Sequence, residues 1–416
     1  MLRFLLAAKH GWLVFVLALA AGYVVSPLVA AYIVGPGYFE LVARMGAVSC
    51  LSIAIGAHLP VLDSLGSRRV PRIALPATAL WLLAWLPFFI FAFMAWGTAE
   101  KIPVIASLQG ADRDTVAVLR EQFLKARTGW QSGFVYVNAM MTGAILPYAI
   151  ASMFLARSSW RWPVVGFFLV FATSFTEKAF FLKAAVPLLY LASTGTLGQR
   201  FSTGRIVTAT LAVLLAVTFA ARSGTPGEAD LIGDFFSTQY ATGGPIGHLI
   251  WRAFAVPVVT AGDSLRVFLE DFGGRNFNGA TSSFLAALLG QERVEFERLV
   301  FAAQWGQNPT GTGSSNSVYF IEAFINWGWP GVVVISGVIG LLLRSFARSN
   351  DEAYRAVWPL LCFGLYNAGF IGKMLSNGFI LLFLMALAVR VVNNRLPTAG
   401  GVAPSTPVPT PLGLST

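Results

Sequence analysis

The chain has 416 residues, 56% of them hydrophobic and 12% charged, with a formal net charge of +10 and a mean hydropathy of +0.69. Soluble domains carry about 25% charged residues, so this composition excludes an ordinary water-soluble enzyme and implies an integral membrane protein. The basic excess is spread over short segments between apolar runs, which argues against a nucleic-acid partner. Cys50 and Cys362 both lie in apolar runs and read as small core residues, with no metal or disulfide framework.

A helix that crosses the hydrocarbon core needs about 20 apolar residues. In chain order the candidate spans are Gly11–Val34, Leu41–Leu59, Ile73–Trp96, Gly133–Leu155, Trp162–Phe175, Lys178–Ala192, Arg205–Ala221, Trp329–Phe346, Ala353–Ile371 and Leu375–Val392, which makes ten. The fifth and sixth are short, and one re-entrant hairpin is an alternative for that pair. The first run has no convincing small-x-small cleavage site, so it is expected to be an uncleaved span. The fold class expected is all-α and polytopic: a transmembrane domain over 1–395 and a Pro/Thr/Gly-rich disordered tail over 396–416. No internal repeat and no P-loop sequence is evident.

Lys and Arg placement sets the orientation. Arg3, Lys9, Arg68, Arg69, Arg72, Arg157, Arg161, Arg200, Arg205, Arg344, Arg348, Arg355, Arg390 and Arg395 all fall on one side of an alternating topology. The short loops opposite hold Arg44, Lys178 and Lys373. Both termini are therefore expected in the cytoplasm of a bacterium, with the long loops 97–132 and 222–317 facing outward across the inner membrane.

The second outer loop is too long to be a simple connection, and such loops usually carry function. It holds six basic and nine acidic residues, so an anion site within it must be local. Ile246–Ala261 reads as a helix with His248 and Arg252 four apart on one face, kinked or ended by Pro257. Asp263 is positioned to cap a following helix, Ser264–Asp271. Gly273-Gly274-Arg275-Asn276 reads as a turn carrying a cation, and Ser283–Leu289 and Glu292–Ala303 as short interfacial helices. From Asn308 to Ser317 the chain is Gly, Ser, Thr and Asn without bulk, suited either to a flexible linker or to presenting N–H and hydroxyl groups to a ligand. Glu322 follows at the membrane edge, where an acidic residue is costly and tends to be functional or paired. Glu177, Lys178 and Lys183 lie at the outer junction of the two short spans. For Lys183 the plainer reading is snorkelling or pairing with Glu177, and for Arg252 and Arg266 it is a solvated ion pair with Asp263 or Glu270.

The run Gly311-x-Gly313, then Asn316-Ser317-Val318-Tyr319, Glu322-Ala323-Phe324 and Asn326-x-Gly328-Trp329-Pro330-Gly331 resembles the bacterial O-antigen and exopolysaccharide polymerases, the Wzy family. Thr176-Glu177-Lys178 leading into a short span is similar to a basic motif there, and the large outer loop before the last three spans matches the topology. Some members carry Arg-x10-Gly in two outer loops; here Arg252 precedes Gly262 one residue short, and Arg266 does not fit.

The resemblance implies a GT-C-like, metal-independent and cofactor-free membrane glycosyltransferase. It would polymerise undecaprenyl-pyrophosphate-linked oligosaccharide units at the outer face, amid membrane lipid and alongside chain-length regulator and export proteins. A departing pyrophosphate calls for cations, and Arg252, Arg266, Arg275, Lys178 and Lys183 are the candidates. The acceptor hydroxyl calls for a base, for which Glu322 comes first and His248 second. Asn308, Asn316 and Tyr319 are candidates to hold sugar hydroxyls. Trp305, Trp327 and Trp329 are placed either to stack on sugars or to anchor in the interface. The alternatives are an O-antigen ligase-type transfer to a lipid acceptor and a lipid-linked oligosaccharide flippase or transporter.

Overall fold

The computed structural model describes residues 7–61, 72–175, 180–197, 208, 235–238, 245–306 and 313–392. It is almost wholly helical, and five helices are long and apolar enough to cross a membrane. These are α1 (Ala8–Val34), α2 (Phe39–His58), α3 (Ala77–Gly97, preceded by strand β1, Ile73–Pro76), α6 (Gly129–Leu155) and α12 (Tyr319–Arg348). Between α3 and α6 lie α4 (Pro103–Leu108) and α5 (Arg113–Leu124). Shorter apolar helices follow α6: α7 (Arg161–Ser174) and α8 (Phe180–Thr194). At about 1.5 Å per residue these reach only some 21–23 Å, less than the roughly 30 Å hydrocarbon core. The outer loop supplies α9 (Pro245–Arg266), α10 (Ser283–Leu289) and α11 (Phe296–Trp305). The chain after α12 forms α13 (Glu352–Arg355), α14 (Trp358–Asn367), α15 (Phe379–Ala388) and strand β2 (Val389–Val392).

Several sequence expectations are revised. The third span starts at Ala77, because Ile73–Pro76 is extended and pairs in parallel with Val389–Val392, Ile73 opposite Val389. The same ladder shortens the tenth span to a helix of 10 residues. The ninth breaks after Asn367, where Ala368 is extended. A π-helical turn at Gly372–Ser376 and a left-handed Gly378 follow before α15 begins. Arg205–Ala221 lies outside the described residues apart from Thr208. Pro257 does not end its helix, since α9 runs through it and on as a π-helical turn, Val267–Asp271. Asp263 therefore sits within α9 and caps nothing; it pairs with Arg266 at 3.5 Å.

The pair α2–α12 forms the spine. Apolar side chains give no preference between lipid and protein, so close packing of small residues has to hold two membrane helices together. A Cβ on Gly56 would strike the Gly337 carbonyl, and one on Gly340 would strike the Ile53 carbonyl. At the same interface the Ser336 hydroxyl donates to Ser49 Oγ at 3.1 Å and lies 3.2 Å from the Tyr319 hydroxyl. A second apolar cluster, built from α3, α6, α7 and α8, is aromatic, with Phe88, Phe168, Phe171, Phe175 and Phe180 at its centre.

α12 is not continuous. Gly328 has φ 64° and ψ −156°, and Pro330 has no N–H to give the Asn326 carbonyl. The break frees two carbonyls, and the outer loop uses them. Phe277 N donates to Ile325 O and Asn278 N to Asn326 O, both at 3.1 Å. Asn326 itself, 1% exposed, completes the clamp. Its Oδ1 accepts from Gly279 N at 2.8 Å, and its Nδ2 donates to Thr281 Oγ1 at 2.7 Å and to Glu322 O at 2.8 Å. The loop is thereby fastened over a nine-residue half-helix, Tyr319–Trp327, that carries Glu322.

Candidate functional site

The polar strip Ser314–Ser317 is the hub of the end that carries α9 and α11. A Cβ on Gly313 would overlap the Phe301 ring, so the chain lies close against α11 there. Ser315 N donates to Glu297 O at 2.9 Å, and its hydroxyl donates to Gln304 Oε1. Gln304 Nε2 donates in turn to Thr260 Oγ1 at 3.2 Å and to Asp263 Oδ2 at 3.0 Å. The strip is thus tied to α9 and α11, and Asn316 borders three separate cavities.

The largest of these three holds about 510 Å³ and lies at the seam where α5, α6 and α8 face α14 and the segment after it. Among the described residues its cations are Arg120, Lys125, Lys183 and Lys373, and its one carboxylate, Glu121, is engaged by Arg298 at 3.1 Å. Asn138, Asn367 and Asn377 add amides, while Leu182, Leu360, Phe363 and Phe379 make an apolar side. Lys183 Nζ donates to Thr142 Oγ1 at 3.2 Å and stands 4.0 Å from the centre of the Phe180 ring. Thr142 lies in a π-helical turn of α6, Met141–Ile145, and its hydroxyl donates to Asn138 O at 2.7 Å. On the opposite wall the Lys373 side chain lies along Gly364, whose missing Cβ makes room for it.

Arg127 braces this end without lining the cavity. Its guanidinium packs against the rings of Phe123 and Phe134, and it donates to Phe123 O at 2.7 Å and to Ala95 O at 3.0 Å. Burial among them lowers its pKa.

Glu322 borders the smallest cavity, about 70 Å³, together with Glu297, Ser264, Thr281 and the strip. Any side chain at position 369 would overlap the Glu322 carboxylate. The break after α14 therefore brings bare backbone, Gly369 followed by the Phe370 and Ile371 amides, up to the acid. Glu322 Oε2 and Ser317 Oγ are both shielded from solvent and have no hydrogen-bond partner. A buried carboxylate oxygen left without a donor is costly, which singles Glu322 out among the acidic side chains around the strip.

The third cavity, about 260 Å³, is walled by Trp251, Phe301, Trp305, Thr260 and Gln304, with Arg252 as its cation.

The structure thus gathers Lys183, Asn316, Arg252 and Glu322 around one strip, but separates Arg252 from Lys183 into different cavities. Tyr319 does not fit its expected sugar-holding role: it is 0% exposed and its hydroxyl faces Ser336 within the α2–α12 interface. Arg266 is engaged by Asp263, and Arg275 is exposed on the Gly273–Gly274 turn; neither borders the three cavities. Lys178 and Asn308 lie outside the described residues, as does the side chain of His248 on α9. Trp305 borders the third cavity, whereas Trp329 packs on Phe324 at 5.6 Å.

Arg120, Lys125 and Lys373 were not among the sequence candidates. The signals were there: a basic pair on an amphipathic helix of the first outer loop, and a lone lysine in a tight outer turn.

The fold defines a mostly helical protein with several helices suited to a membrane, and a polar, cation-lined site at one end of them. No family model, no curated protein and no solved structure matches the chain.

Proposed function

We propose that this protein is a membrane glycosyltransferase that polymerises undecaprenyl-pyrophosphate-linked oligosaccharide units at the outer face of the bacterial inner membrane. The observation that carries the reading is the Ser314–Ser317 strip, which separates a cation-lined cavity from the shielded Glu322 carboxylate, one of whose oxygens has no hydrogen-bond partner among the described residues. Lys183 and Lys373, with Arg120 and Lys125 nearer the rim, would take the diphosphate of the donor lipid. The apolar side at Leu182, Leu360 and Phe363 suits the first isoprene units. The acceptor hydroxyl oxygen would attack the anomeric carbon and pass its proton to Glu322. The bond from that carbon to the diphosphate would break, its electron pair going to the phosphate oxygen, where lysines stabilise the developing charge.

This reading includes ten spans with both termini cytoplasmic. It is supported by how the described segments group at two ends. At the end expected outside, the Tyr38 hydroxyl donates to Glu270 at 2.8 Å and Arg298 pairs with Glu121. At the other end, the Tyr148 hydroxyl donates to Asp351 at 2.7 Å, and Arg344 donates to the Ala57 carbonyl at 2.9 Å.

The test is to give the purified protein a lipid-linked repeat unit and look for a ladder of glycan lengths that survives a chelator. Glu322→Gln and the pair Lys183→Ala/Lys373→Ala should each abolish the ladder while the protein remains folded. Lipid scrambling in liposomes without any ladder would instead favour a flippase, and transfer of finished glycan to a lipid acceptor a ligase.

A further inference from the structure

The three cavities around Asn316 differ in chemistry, and the difference assigns them different ligands. The 510 Å³ cavity brings four cations to one already-paired carboxylate, which suits a diphosphate. Among the described residues the 260 Å³ cavity has a single cation, no carboxylate and three aromatic side chains. One guanidinium is a poor match for a diphosphate, whereas aromatic faces beside hydroxyl and amide groups are the chemistry of a sugar ring. Sugars present C–H faces to an indole and hydroxyls around the rim, so a site needs a flat apolar wall and a polar edge.

Both parts are built here. Trp305 is 43% exposed and in contact with Phe301, their ring centres 6.0 Å apart, so it offers a face that is held but open. Trp251, 7% exposed, is fixed by donation from its Nε1 to Ser237 O at 3.3 Å. Thr260 and Gln304 supply the polar edge, and both are already oriented by the bond between them and by Asp263. The volume lies below the roughly 300–1,000 Å³ of pockets that enclose larger ligands, which limits the occupant to about one ring. Arg252 is exposed at the rim and pairs with no acidic side chain of the described residues, in contrast to Arg266, nearly four turns further along α9. A guanidinium at the edge of such a pocket favours a carboxylate, which it meets bidentately.

We propose that the cavity between α9 and α11 is a glycan subsite that binds one pyranose ring of the growing or incoming saccharide, with Arg252 favouring a ring that carries a carboxylate. This rests on the glycosyltransferase reading and extends it. The strip Ser314–Asn316 then separates a lipid-diphosphate site from a sugar site, and Arg252 selects glycan instead of gripping the leaving group.

Saturation-transfer NMR on the full-length protein in nanodiscs tests this with two probes, glucuronate and glucose. The wild type should transfer saturation to glucuronate more strongly than to glucose. Trp305→Ala should reduce both signals at least fivefold. Arg252→Gln should remove the preference for glucuronate. The pair Lys183→Ala/Lys373→Ala should leave the sugar signals intact and instead abolish the ³¹P line broadening of inorganic pyrophosphate. No transfer to either sugar in the wild type overturns the subsite, as does transfer that persists unchanged in Trp305→Ala. Equal signals for the two sugars, unaffected by Arg252→Gln, overturn the role given to Arg252. Sugar transfer without any pyrophosphate broadening would sink the polymerase reading while supporting the subsite, so the two failures are distinguishable.

Discussion

Asn326→Ala is the sharpest probe of how the outer loop is held over the site. The side chain is 1% exposed and makes three hydrogen bonds, to Gly279 N, Thr281 Oγ1 and Glu322 O. Truncation strands the buried Gly279 amide, at a cost of about 1–3 kcal/mol, and removes two further bonds of roughly 0.5–1 kcal/mol each after compensation. The loop should therefore loosen by about 2–5 kcal/mol, roughly a thirtyfold to few-thousandfold rise in local opening at about 1.4 kcal/mol per decade. It should not detach, because Phe277 and Asn278 still donate to the carbonyls of Ile325 and Asn326. Hydrogen exchange followed by mass spectrometry on peptides spanning 276–282 reads this directly. Exchange there should accelerate at least tenfold while peptides from α2 stay unchanged. Asn326→Asp keeps the acceptor for Gly279 and should fall between wild type and Asn326→Ala. Unchanged exchange at 277–281 would refute the clamp, and acceleration spread evenly over the whole chain would refute its local character.

Three other outcomes are expected. Gly369→Ala drives a Cβ into the Glu322 carboxylate, so it should lower thermal stability in detergent, and adding Glu322→Ala should restore most of the loss. If the double variant melts no higher than Gly369→Ala alone, the close approach of that backbone to the acid is wrong. Gly340→Val places a side chain against the Ile53 carbonyl and should cost about 3 kcal/mol or more by forcing α2 from α12. A melting curve indistinguishable from wild type would count against that packing. Acidification should fray the start of α5, where Asp112 accepts from the Thr115 N–H and hydroxyl at 2.8 and 2.7 Å. Those bonds lower its pKa, so the contribution is fully present above the ordinary aspartate value. It fades as pH falls through the lower, folded value. Asp112→Asn should remove this pH dependence in exchange at 113–116; if the dependence persists, the cap is not its source.

The apolar runs determined by themselves that this is a helical membrane protein. Long stretches without charge have no other stable arrangement, because every backbone group must bond within its own helix. The same logic made Ser314–Ser317 and Glu322 visible as candidates, since polar residues at a membrane edge are exceptions to it. The break at Gly328 was partly legible, since the expected eighth span already begins at Trp329 beside Pro330. The break at Ala368 was not, because it interrupts a run expected to be one continuous span, Ala353–Ile371. Both are tolerated because particular partners, Phe277 and Asn278 in one case and the Glu322 carboxylate in the other, lie beside the freed backbone.

Partition of the cations was likewise a tertiary matter. Arg252 and Lys183 carry the same charge on the same expected side, yet they border different cavities because α9 packs on α11 while α8 packs on α6. Tyr319 and Asn326 sit seven residues apart in one motif and look equally suited to a ligand. Seven residues are close to two helical turns, so the two share nearly one face; what separates them is height, with Tyr319 packed against Ser336 at the α2 interface and Asn326, beside the break at Gly328, bonded to the loop. Sequence fixes which residues are available to do chemistry, whereas the direction each side chain faces depends on neighbours hundreds of positions away.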